Sequence, residues 1–227
     1  MTCVRAERLY RGQVLRLTLC APPGNVIDGT MVDALLAALP ENTDDLKLIL
    51  LAAEGPDFSI GTRLEAADMA RFHQVFYRLI DLGIPTAALV RGRCMDAGFE
   101  LAAFCNFVFA DASARFGLRR GLPTPAALIL PLKLGAERAG DLVLCGLTVD
   151  AVEAFRRGLL TAWAPERGDV FALHKAWIET HLLPCSAVRL RRAHRVARLS
   201  FHAQLRAELP ALERLYLANT QRHKAVA

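Results

Sequence analysis

The chain of 227 residues is 53% hydrophobic and 22% charged, too apolar for a disordered segment and long enough for one large core with a helical appendage. Its net charge of +5 gathers partly at Arg189, Arg191, Arg192, Arg195 and Arg198. Without a recognition motif or aromatic interleaving, that cluster reads as the solvated face of a helix and not as a nucleic-acid surface, with attraction of a phosphorylated cofactor left open.

Six cysteines show neither CxxC pairs nor His-rich neighbours, which points to a reduced, cytoplasmic protein without structural zinc. The start, MTCVRAERLYRG, has no apolar run of the signal-peptide kind, and no stretch reaches the ~18–20 apolar residues of a membrane helix.

In chain order, residues 13–20 (QVLRLTLC) read as a strand, and Pro22-Pro23-Gly24-Asn25 forces a turn. Residues 30–39 put Met31, Leu35, Leu36 and Leu39 on one helical face, with Thr30 or Asp28 as caps. The apolar run 46–52 (LKLILLA) suits a strand covered on both faces. A loop follows over 54–65, then an amphipathic helix over 68–82 ended by Pro85, then a buried strand, Thr86 to Val90.

A helix is expected from about Ala97 to Cys105, strands over 106–110 and around Ala114 to Phe116, and helices for all that follows Pro125: 126–134, 136–145, 150–157, 169–182, 186–199 and 201–217. The architecture is therefore α/β followed by helices that pack against another subunit. The six histidines have no nucleophile or metal partner at a recognisable spacing and read as surface residues, while Asp141 and Asp150 read as helix starts.

Chemistry concentrates in residues 85–117, where a strand ends at a glycine and a helix starts near Ala97 with Glu100 in its first turn. The first N–H groups of a helix lack intrahelical acceptors and sit at the positive end of its dipole, so they suit a developing oxyanion such as an enolate. On the residues alone Glu100 reads first as a helix-start capping group, and second as a proton-transfer carboxylate.

The stretch PTAALVRGRCMDAGFELAAFCNFVFADASARFG resembles the signature of the enoyl-CoA hydratase/isomerase (crotonase) family. Three further blocks match in register: residues 19–27 (LCAPPGNVI), 57–64 (DFSIGTRL) and 143–160 (VLCGLTVDAVEAFRRGLL). Within the family, residues 76–105 and 122–131 look like hydratases of the cyclohexadienecarbonyl-CoA type.

The resemblance implies a crotonase (ClpP-like) fold of repeated ββα units, with a core domain over 1–165 and a C-terminal helical trimerisation region over 166–227. It implies an oxyanion hole made by the backbone N–H groups of Thr62 and Ala97, and Glu100 as the acid/base. Coenzyme A, present as part of the thioester substrate and not as a permanent cofactor, would lie along Ser59, Ile60 and Gly61. Arg63, Arg71, Arg222, His223 and Lys224 are candidates for its phosphates. A homotrimer or dimer of trimers is expected, with no metal and no nucleic-acid or membrane partner.

Two departures stand out. Family members carry glycine where this chain has Asp96, and a second glutamate where it has Arg120. Asp96, Arg119 and Arg120 are therefore possible substrate contacts; either arginine would pair with a carboxylated acyl group or with Asp96. The alternative to an enzyme is a catalytically impaired acyl-CoA-binding protein.

Overall fold

The computed structural model describes residues 2–119 and 124–226. Strands β1 (Val4–Leu9) and β2 (Val14–Leu19) form an antiparallel hairpin. From β2 onward the sheet is parallel through β3 (Leu48–Ala53), β4 (Thr86–Val90), β6 (Phe107–Asp111) and β9 (Ala162–Ala164). A second sheet joins β5 (Arg93–Met95), β7 (Arg115–Gly117) and β8 (Val149–Asp150).

Alternation along the central strands sorts their side chains into two cores. Ile49, Leu51, Ala88 and Val90 face one cluster; Leu48, Leu50, Ala87 and Leu89 face the other. Helices α1 (Gly29–Ala38), α2 (Ala66–Leu82) and α3 (Ala97–Phe104) cover the first face. Helix α7 (Val170–Trp177) and a π-helical turn (Ile178–Leu182) cover the second. Burial on both sides explains why β3 and β4 read as unbroken apolar runs.

Asp28 caps α1, accepting from the Met31 N–H at 2.9 Å. Beyond the core strands, α4 (Ala126–Leu134) and α5 (Ala136–Cys145) precede α6 (Ala151–Arg156), which Asp150 caps by accepting from the Glu153 N–H at 2.9 Å. Asp141, expected at a helix start, instead lies within α5 and pairs with Arg157 at 3.0 Å.

Four strands depart from the sequence expectation. β1 reads VRAERL, an edge strand with one wet face, and its charges hide its apolar period. β5, β8 and β9 have three, two and three residues, too short for periodicity to register. The C-terminal region is therefore not wholly helical.

Helices α8 (Ala187–Ala197) and α9 (Leu199–Val226) fold back onto their own chain, and Phe201, Leu205 and Leu209 join the first core cluster. Histidines also differ from expectation: His73, His194 and His202 are buried. His73 Nδ1 bonds Glu213 Oε1 at 2.7 Å, tying α2 to α9. The basic segment is only partly a solvated face: Arg191 donates to the Thr43 and Asp44 carbonyls at 2.7 and 3.1 Å, and Arg198 stacks over Phe201 at 3.7 Å.

Candidate active site

Two chain segments meet beside the N-terminus of α3. The first is the loop from Asp57 to Thr62, held against β5 by the Ser59 N–H donating to the Arg93 carbonyl and the Met95 N–H donating to the Ser59 carbonyl, each at 3.0 Å. The Ile60 N–H donates to the Gly24 carbonyl at 2.9 Å. Gly61, at φ 141°, then turns the chain; that value lies in the region that favours glycine.

Around Thr62 the Ile27 N–H donates to the Gly61 carbonyl at 3.0 Å, and the Arg63 N–H and Thr62 hydroxyl both donate to the Ile27 carbonyl, at 2.9 and 3.0 Å. The Thr62 N–H itself makes no hydrogen bond among the described residues.

The second segment is the entry to α3. Asp96 sits at φ 49°, a left-handed value more easily met by glycine. Ala97, by contrast, is not among the positive-φ residues, so alanine is tolerated there. Its N–H opens the helix, where no intrahelical acceptor exists. Every residue of α3 is buried, and Gly98 faces Ser59 so closely that a Cβ there would lie 2.4 Å from Ser59 Cβ.

Glu100 projects from the first turn of this helix and is 2% exposed. Burial pushes its carboxyl from the ordinary 4.5 up to about 7, and the nearby Asp96 charge adds to the rise. Hydrogen bonds from the Thr124 hydroxyl and the Ala126 N–H, the latter at 3.3 Å, favour the carboxylate and oppose that rise.

A cavity of about 310 Å³ opens here, and Thr62, Ala97 and Glu100 all line it. Leu64, Met69 and Leu118 give it an apolar wall. Asp96 and Arg119 line the same cavity and are bound to each other: the Arg119 N–H and Nε each donate to the Asp96 carboxylate at 2.8 Å. Arg119 Nη2 reaches the Thr62 carbonyl at 3.1 Å.

Of the predicted coenzyme A contacts, Ser59 is wholly buried, while Ile60 borders a second cavity of about 450 Å³ between the Pro22-Pro23 turn and Arg93. Arg63 lines the first cavity; Arg71 is held by Asp33 at 2.8 and 2.9 Å and by Asp68. Arg120 and the side chains of Arg222, His223 and Lys224 lie outside the described residues.

Sequence reasoning passed over Thr124 and Glu65, both at the cavity wall. A Thr-Pro pair directly before an apolar helix signals a helix start, and that signal leads to Thr124. Among the described residues no group of three or more His, Cys, Asp or Glu is arranged to hold a metal, and no helix is long and apolar enough to cross a membrane.

The family model for enoyl-CoA hydratase/isomerase matches residues 10–225. Cyclohexa-1,5-dienecarbonyl-CoA hydratase of Thauera aromatica is 35% identical over 219 residues, covering 91% of this chain and 84% of that protein.

Among solved structures, an enoyl-CoA hydratase from Bacillus halodurans superposes with a TM-score of 0.82 at 20% identity, covering 95% of this chain and 94% of that one. A protein of Thermobifida fusca YX, solved in complex with acetoacetyl-CoA, superposes with a TM-score of 0.75 at 24% identity, covering 94% and 95%. The chain belongs to the enoyl-CoA hydratase/isomerase family and has the crotonase fold.

Proposed function

We propose that this protein is an acyl-CoA hydratase or isomerase in which the Thr62 and Ala97 amides hold the thioester oxygen as it becomes an enolate, and Glu100 moves the proton. The observation that carries this reading is one cavity lined by Thr62 and Ala97, whose amides have no described acceptor, and by a buried carboxyl poised near 7. Preorganised backbone donors of this kind are worth ~10²–10³ in rate each.

Hydration balances on one carboxylate. Glu100 takes a proton from water as its oxygen bonds the β-carbon, the π electrons move onto the thioester oxygen, and the same proton then returns to the α-carbon. Isomerisation needs less: Glu100 removes a proton from one carbon of the enolisable system and returns it at another. Glu65, also at the cavity wall, is a carboxylate able to hold the water.

Coenzyme A is placed along the loop of Ser59, Ile60 and Gly61, toward the second cavity, in a homotrimer or dimer of trimers. The six free thiols suit a reducing compartment, the cytoplasm.

A second reading, a catalytically impaired acyl-CoA-binding protein, draws on one observation: a carboxylate at Asp96 stands beside the hole where glycine is usual in the family. A panel of enoyl- and dienoyl-CoA esters separates the two. Turnover of at least one ester, falling ~10²–10⁴-fold in Glu100→Gln, supports the enzyme. Binding of the esters without turnover supports the second reading and defeats the first.

A further inference from the structure

We infer that Arg119 and Asp96 form a brace that holds the two amide-bearing segments at a fixed separation, with Arg119 as the positioning residue and Asp96 as its anchor. The inference rests on the thioester reading of the site and adds to it Asp96, where the chain departs from its family pattern, and Arg119.

The geometry carries the argument. Asp96 immediately precedes the Ala97 amide, and its own N–H donates to the Gly117 carbonyl at 3.0 Å while its carbonyl accepts from the Glu100 N–H at 3.0 Å. Its carboxylate reaches across to the other segment: a Cβ built on Gly61 would meet Asp96 Oδ2 at 3.1 Å. Arg119 then closes the gap, donating from its N–H and Nε to Asp96 and from Nη2 to the Thr62 carbonyl. One guanidinium fork therefore touches both segments, using the rigid planar geometry that lysine lacks.

The brace also answers an electrostatic problem. An unpaired carboxylate beside the hole would repel a developing enolate; Arg119 neutralises it. The Arg119 side chain is 59% exposed, so the pair contributes little to global stability and its value lies at the site. Asp96 keeps an unfavourable backbone angle, a kind of strain that gathers at functional sites.

The test uses acetoacetyl-CoA, whose enolate absorbs distinctly and reports on the hole without turnover. Arg119→Ala should keep the melting temperature but weaken binding of the enolate form by ~10-fold or more. It should also move the acid limb of any turnover profile to higher pH, because Asp96 is left uncompensated beside Glu100. Arg119→Lys should recover only part of the loss. Adding Asp96→Gly to Arg119→Ala removes the uncompensated charge but not the loss of the link to Thr62, so it should restore only part of the enolate binding.

Unchanged binding in Arg119→Ala, or full recovery of wild-type binding when Asp96→Gly is added, overturns the brace while leaving the thioester site standing. Failure of the wild-type protein to bind acetoacetyl-CoA overturns the thioester reading and the brace with it.

Discussion

Glu100 is held in a state that a surface carboxylate never reaches. Burial raises it to about 7, so both protonation states are populated near neutral pH, as a group that must take and return one proton requires. The expected kcat/KM profile for hydration therefore falls on the acid side with an inflection near 7 and not near 4.5; an inflection near 4.5 would mean that Glu100 is solvated in the working enzyme.

The same burial has a cost for folding. Between 4.5 and about 7 the folded chain keeps a proton that the unfolded chain has released, so stability falls as pH rises through that window. Glu100→Gln carries no such charge. It should be more stable than the wild type above pH 7 by up to about 3 kcal/mol, with the gain vanishing below 4.5. Urea denaturation at pH 4.5 and pH 8 measures it, and a gain independent of pH would contradict the assignment.

At the scale of elements, α3 is set by what surrounds both of its ends. Gly98 lets its first turn approach Ser59, and Lys133 caps its last, Nζ donating to the Ala103 and Cys105 carbonyls at 3.0 and 2.6 Å. Gly98→Ala places a methyl where Ser59 already stands, so helix and loop must separate. A displacement of about 1 Å costs ~10²-fold in rate. Gly98→Ala should lose about that much kcat/KM while circular dichroism keeps its helical signal; wild-type kinetics would show that the close approach does not set the site.

Elements were unevenly legible in the sequence. The limits of α4 and α5 match their expected ranges, because Gly135 and Gly146 stand directly after their last residues. β5 was lost for a physical reason: it is stabilised by pairing with β7 and with Ser59, partners that no local window contains. In the site, the family resemblance implied Thr62, Ala97 and Glu100, and all three line one cavity. The Arg119 fork was open only as an alternative, since choosing between a substrate carboxylate and Asp96 requires the loop conformation.

For the whole molecule, the C-terminal helices decide how the core is closed. Leu205 is fully buried on α9, which packs on α2 and α4. Leu205→Ala should cost ~2–5 kcal/mol in unfolding free energy. A change within a few tenths would place α9 away from its own core in solution. Val188, Val196 and Leu199 of the same region are exposed, apolar surface that the proposed oligomer would cover. Light scattering should give a multiple of three times the 24.9 kDa chain mass, and a monomer would contradict the trimer.

The central claim is that a thioester enolate forms in this cavity with Glu100 as the proton carrier. Solvent deuterium in the product tests it most directly: an accepted enoyl-CoA is turned over in D2O and the acyl chain is analysed by mass spectrometry. On hydration, deuterium is expected on the carbon that Glu100 protonates, delivered by wild-type protein and lost in Glu100→Gln. Hydrated product without carbon-bound deuterium, or equal labelling by Glu100→Gln, would contradict it.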